Sequence, residues 1–247
     1  MKWVLKILSW FVVMTIMLPC AIGAGLGYAH GWPANWKLAN WSSSGVLPEP
    51  RSNAPAMVII LASRTGQWKS IFAEHMSLVL KPEGASAWTR YDVVGWGTPV
   101  RRNAFVADAF WYGNTPRIVY RLEGEKASAL IPRIEEQIAH YPQSRRGSYA
   151  VWPGPNSNTF VSWVVRHTPD FDAELPPTAV GKDWLGPGFN FSRAPSDTGY
   201  TLSLSGVIGV TVAGEEGLEL HLLGSTIGID PNDVAIKLPA LGKLSLL

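Results

Sequence analysis

The 247-residue sequence predicts an α+β domain behind an apolar N-terminal segment, and three patterns carry that prediction. Ile7–Tyr28 runs 22 residues without a charge, against roughly 20 for a helix that crosses a bilayer. Ala56–Ser63 (A-M-V-I-I-L-A-S) is an unbroken apolar run of strand length with a hairpin pattern downstream. After a helical periodicity over 124–141, the texture changes at Gly199 to two-residue alternation. At roughly 100–200 residues per domain, the length allows one full domain plus a targeting segment. Residues 1–30 are read as a transmembrane anchor or signal segment, 31–55 as a Trp/Pro-rich linker, and 56–247 as a single α+β globular domain. Within it, 56–168 and a β-rich 199–247 are distinct parts.

Composition removes several function classes. Apolar content of 47% and charge of 16% suit a buried core and not a disordered chain. A net charge of +2 makes no case for nucleic acid. The single cysteine, Cys20, lies in the apolar run, so the domain has no disulfide, no thiolate metal site and no cysteine nucleophile. There is no G-x-S-x-G, no Walker motif and no dinucleotide fingerprint, and no cofactor is expected. Asp170, Asp172 and Glu174 alternate but lack the glycine and bidentate glutamate of a calcium loop, so they read as a solvated acidic turn and no metal is expected.

In chain order, Lys2 and Lys6 precede the apolar run, which keeps the N-terminus cytoplasmic and sends the rest across. The expectation is a single pass through the inner membrane with the bulk of the chain periplasmic or extracytoplasmic. Trp32, Trp36 and Trp41 follow as an aromatic belt would. A cleaved signal peptide is the competing reading, because Ala21–Gly23 and Ile22–Ala24 offer small residues near a cut. Ser42–Pro55 is a polar, proline-rich linker. His75–Lys81 is a strand with His75, Ser77 and Val79 on one face and Met76, Leu78 and Leu80 on the other. Trp88–Val94 returns as its hairpin partner. Phe105–Trp111 and Arg117–Leu122 are predicted as further strands, and Ser148–Val151 is strand-like. Leu130, Ile131, Ile134 and Ile138 mark a helix over 124–141, stopped by Pro142. Tyr200–Leu204, Val207–Val212, Leu218–Leu222 and Val234–Leu238 read as strands.

The candidate site is the stretch Trp152–Thr168. Two prolines and a glycine break the chain, Asn156 and Ser157 offer helix caps, and a nearly all-apolar run follows. A hydroxyl at the start of a buried helix sits beside unpaired N–H groups and the positive dipole end, which favour an oxyanion. Its base has to come from elsewhere. His167 is ten residues along the same helix, roughly 15 Å away. His30 is membrane-proximal, His140 ends a helix and His221 lies on the polar side of a hairpin, which leaves His75. Tyr91 and Asp92, on opposite faces of the next strand, are the candidates to orient its imidazole. The bland alternative is that Asn156 and Ser157 only cap a helix.

N-S-N-T-F resembles the N-C-N-x-F segment of circularly permuted papain-like hydrolases, the NlpC-like and PPPDE-type families. E-H-M-S-L-V-L-K-P with W-T-R-Y-D-V is similar to their histidine-bearing hairpin. The likeness spans roughly 56–167 and places Ser157 where those families have cysteine. The texture from W-P-G-P-N-S-N-T-F through P-S-D-T-G-Y further resembles an uncharacterised bacterial envelope family. The resemblance implies an antiparallel sheet packed against a buried, nucleophile-type helix. It implies that His75 deprotonates Ser157, that helix-start amides such as that of Asn158 hold the oxyanion, and that Asn156, Asn158, Tyr91 and Asp92 are binding positions. A serine needs stronger base help than a thiol, so the implied site is either re-tuned or silent. Three readings follow: a membrane-anchored hydrolase or acyltransferase acting on amide or ester bonds, an inactive relative that binds peptide or glycan, and a structural envelope protein. The partners are the bilayer and a peptide, glycan or acyl substrate.

Overall fold

The computed structural model describes residues 2–31 and 35–246, without the His30 side chain. Lys2–Ala29 forms helix α1, whose 28 residues are long and apolar enough to cross a membrane. Two antiparallel sheets follow, so the chain is α+β.

The first sheet has five strands: β1 (Met57–Arg64), β2 (Glu74–Lys81), β3 (Thr89–Val93), β4 (Val100–Arg102) and β5 (Arg117–Glu123), in the order β4-β3-β2-β1-β5. Nearly every residue of β1 and all of β2 are buried, which explains the unbroken apolar run that marks β1. Helices α2 (Glu125–His140) and α3 (Ser157–His167) cover one face, where Val58, Ile60, Met76, Leu78 and Leu80 meet Leu130, Ile134, Phe160, Val161 and Val164. Ile59, Leu61 and Val79 point the other way and are covered by Leu47. The polar stretch 42–55 is therefore tied down: Ser43 Oγ donates to Asp108 Oδ1 (2.7 Å), and Trp88 Nε1 donates to the Pro48 carbonyl (3.1 Å).

Three expectations change. Phe105–Trp111 is not a strand; it makes only isolated bridges, because Phe105 and Trp111 turn together into an aromatic cluster instead of alternating across a sheet. Trp36 and Trp41 belong to that cluster, packing on each other at 4.2 Å and on Phe105, Trp111 and Tyr112, and do not form a membrane belt. Trp32 lies outside the described residues. Ser148–Val151 is also irregular, since its Ala150 N–H is spent on the Pro155 carbonyl (2.8 Å) in the turn before α3.

The second sheet is a seven-stranded antiparallel meander: β6 (Phe189–Arg193), β7 (Gly199–Leu204), β8 (Ile208–Ala213), β9 (Gly217–Leu222), β10 (Ser225–Asp230), β11 (Ala235–Leu238) and β12 (Gly242–Ser245). Alternation gives its period but not which face turns inward, and here the polar face does. Thr201, Thr211, Glu219, His221, Thr226 and Lys237 are buried. Lys237 Nζ meets Glu219 Oε1 (2.9 Å), Glu174 Oε1 (2.7 Å) and the Glu216 carbonyl (2.8 Å), and Lys182 pairs with the second Glu219 oxygen. His221 bonds Thr211 (2.8 Å) and Thr226 (3.1 Å). An ion cluster withdrawn from water is tolerated only when its members are paired in this way. Lys243 likewise occupies the centre of the acidic group Glu174, Asp230 and Asp233, while Asp170 pairs with Arg133 (3.0 Å).

Burial works against Glu219 ionising, but Lys182, His221 and Lys237 outweigh it and hold the carboxyl at about 2. Burial, then Lys182, pulls His221 down to about 4. Both groups bind protons more readily in the unfolded chain, so stability falls on acidification. The His221 contribution is complete above its ordinary 6.5 and lost towards about 4. That of Glu219 is lost from about 4.5 towards about 2. Urea midpoints measured across this range should fall with pH, and His221→Gln should shrink the upper window and, by removing a cation that holds Glu219 down, narrow the lower one as well.

Candidate active site

The start of α3 is built by asparagines. Asn156 Oδ1 accepts from the N–H groups of Asn158 (2.9 Å) and Thr159 (3.1 Å), satisfying two of the helix's orphan donors. Its Nδ2 donates to the carbonyls of Val151 (3.0 Å) and Val180 (3.1 Å), pinning the preceding turn. Gly181 has φ +91°, and a Cβ there would come 2.5 Å from Asn156 Nδ2, so only glycine fits against the cap.

Asn158 ties this helix start to the sheet. β3 pairs with β2 only from Leu78 onward. Below that point the side chain of Asn158 takes the strand's free edge, accepting from the Met76 N–H (3.0 Å) and donating to the Glu74 carbonyl (2.8 Å). These two groups flank His75, so Ser157, the residue before Asn158, opens the helix beside the histidine's strand. His75, Asn156, Ser157 and Asn158 all line one cavity of about 700 Å³. Its walls are mostly aromatic and aliphatic, including Trp68, Phe72, Trp111, Tyr149 and Trp152, with Cys20 of α1 at one side.

His75 is buried and held by two contacts. Its ring stacks on Trp111 (3.6 Å, 8° between planes), and its Nε2 lies 2.9 Å from Asp92 Oδ1. A carboxylate partner requires the proton on Nε2, leaving the lone pair on Nδ1. Asp92 is fixed in turn by Arg90, whose Nε and second terminal nitrogen donate to its two oxygens at 2.8 and 3.0 Å. Arg90 itself donates to the Val106 carbonyl (3.1 Å). Burial lowers the His75 pKa more than the Asp92 hydrogen bond and charge raise it. For Asp92, burial is the largest influence and acts upward, but Arg90 and His75 together leave the carboxyl below its ordinary value.

Of the predicted site residues, the structure gathers His75, Asn156, Ser157 and Asn158 at the cavity and places Asp92 directly behind His75. Tyr91 goes elsewhere: the register Leu78↔Tyr91 turns it to the helix side, where its hydroxyl donates to Glu135 (3.1 Å). Tyr91 is therefore no site residue. The Asn158 amide is spent on the cap and is not an oxyanion donor; the Ser157 N–H is the helix-start amide with no protein acceptor among the described residues. Arg90 and Trp111 escaped the sequence reading. Arg90 sits two residues before Asp92 on the same strand face, a signal that could have found it. Trp111 gave none, since it arrives from an irregular loop.

The architecture and this cavity define an α+β protein in which a helix-opening serine and a carboxylate-bound histidine line one cavity. Residues 55–184 match the family described as a protein of unknown function (DUF3750), and the match takes in just over half of the chain. The chain belongs to that family. No curated protein matches the chain, and no solved structure matches it. The family region contains His75 and Asn156–Asn158 of the cavity, with Asp92 behind His75, and ends before the second sheet.

Asp92→Asn should leave the Arg90 guanidinium buried without a counter-charge and cost ~3–5 kcal/mol, measured by urea denaturation. By NMR titration, His75 should fall still further below its ordinary pKa, because a group that raises it is gone. Asn156→Ala should cost ~1–2 kcal/mol by losing the cap.

Proposed function

We propose that this protein is a membrane-anchored hydrolase or acyltransferase in which Ser157 attacks an ester or amide carbonyl and His75 is its general base, on a scaffold of permuted papain-like character. The observation that carries the reading is the convergence of a helix-opening serine and a carboxylate-bound histidine on one apolar cavity. Nδ1 of His75 would take the Ser157 proton, and Asp92 would hold the tautomer and stabilise the imidazolium. The Ser157 N–H at the positive end of α3 would face the oxyanion of the tetrahedral intermediate. The aromatic and aliphatic lining suits the acyl part of the substrate, and the apolar α1 would keep the domain at the inner membrane with its bulk on the far side.

A second reading, a silent relative that binds a ligand in the same cavity, is favoured by one feature. Asn156 and Asn158 are both consumed by structural hydrogen bonds, so fewer polar groups remain for transition-state contacts.

A serine-directed alkyl fluorophosphonate separates the two. Full-length protein in detergent should be labelled, Ser157→Ala should abolish labelling, and His75→Ala should slow it by roughly 10²-fold or more, the ordinary contribution of a general base. Because burial holds the His75 pKa below its ordinary 6.5, the labelling rate should not begin to fall until the pH is below that value. Absence of labelling at any pH would leave the silent reading.

A further inference from the structure

The second sheet is inside out with respect to a water-soluble sandwich. Its inward face carries the buried ions and hydroxyls, and its outward face carries Phe189 and Phe191 on β6, Tyr200 on β7, Val212 on β8, Leu218 on β9 and Ile229 on β10. These residues are between 47% and 71% exposed. The register makes the face continuous, because Phe191 opposes Leu202, Tyr200 opposes Val212, Val212 opposes Leu218, Leu218 opposes Ile229, and Ile229 opposes Ile236. Arg193, at the outer corner, is the charged side chain on it and is paired with Asp197. Seven strands about 4.8 Å apart, each contributing roughly five residues, span roughly 500 Å². Monomers keep contiguous apolar patches of that size for a partner or a membrane.

We infer that this face lies on the lipid bilayer, seating the domain beside its own anchor. The choice of lipid rests on continuity with α1. The turn between β11 and β12 packs on the anchor, and a Cβ at Gly23 would come 2.9 Å from that of Ala240 and 3.2 Å from the Ile71 carbonyl. Gly23 is six residues inside the end of the apolar helix, roughly 9 Å along its axis. A helix that spans the membrane therefore carries this edge of the sheet down to the acyl-chain layer. Around the junction α1 exposes the apolar Met17, Leu18 and Ile22, while the half-buried Arg64 donates to the Ile71 and Ala240 carbonyls. This inference rests on the reading of α1 as a membrane anchor and is independent of the catalytic one.

The test is site-directed fluorescence on the full-length protein in phospholipid nanodiscs. In a Cys20→Ser background, an environment-sensitive dye is attached at Val212→Cys, Leu218→Cys or, as a control on the exposed face of α2, Glu136→Cys. Doxyl-labelled lipid should quench the dye at 212 and 218 and leave 136 unchanged, and aqueous iodide should do the reverse. Two results would overturn the inference: iodide quenching at 212 and 218, which leaves the face in water, or rapid disulfide cross-linking between copies through 212, which makes it a self-association surface. Circular dichroism of each variant confirms that it is folded, and because both positions are exposed, two sites test one face.

Discussion

The site depends on a strand that gives up its neighbour. β3 runs beside β2 only from Leu78 onward, and over the first residues of β2 the Glu74 carbonyl and the Met76 N–H have no strand partner on that edge. Unpaired buried backbone groups cost several kcal/mol, so something must take that edge. The carboxamide of Asn158 does so with one donor and one acceptor, as a strand residue would. Only a carboxamide offers both at once on a side chain of that length. The consequence is positional: the helix start is fixed against the strand that carries His75, and the gap left by the departing β3 becomes the cavity.

The electrostatics of the cavity are arranged behind the imidazole. Asp92 is a buried carboxylate, which burial alone would tend to protonate, and the two Arg90 contacts keep it ionised. An ionised Asp92 fixes the His75 tautomer, while burial and the Trp111 face hold the ring neutral and immobile. Arg90 is itself delivered by geometry, since residues two apart on a strand share a face. One five-residue strand therefore supplies both the orienting acid and the cation that maintains its charge.

The sequence made most of the first sheet and both its helices legible, because β1, β2, α2 and α3 have strong periodicity or unbroken apolar runs. His75 and Ser157 could be singled out by elimination and by position. What could not be read was register: Tyr91 and Asp92 are indistinguishable until the pairing Leu78↔Tyr91 is known, and that pairing assigns Asp92 to the histidine's face. Phe105–Trp111 misled because its aromatic residues serve a cluster drawn from distant segments, Trp36 and Trp41 among them, and not a neighbouring strand. The strands β6, β10 and β12 passed unnoticed among short Gly- and Pro-flanked segments that carry little pattern of their own.

Facing was the other hidden quantity, and here magnitudes decide the argument. At ~25 cal/mol per Å², roughly 500 Å² of apolar sheet left in water forgoes about 12 kcal/mol, comparable with the whole stability of an ordinary domain. Turning the sheet over would recover that burial, but it would also bring Glu219, Lys237 and Lys182 out of their mutual ion pairs and His221 out of its two hydroxyl hydrogen bonds. The inward polar face is thus stable in itself, and the outward apolar face is reasonable only against a medium that is not water. The same helix α1 that contributes Cys20 to the cavity wall touches the turn between β11 and β12 at Ala240. Helix α1 therefore borders both the cavity, through Cys20, and the edge of the second sheet, through Ala240.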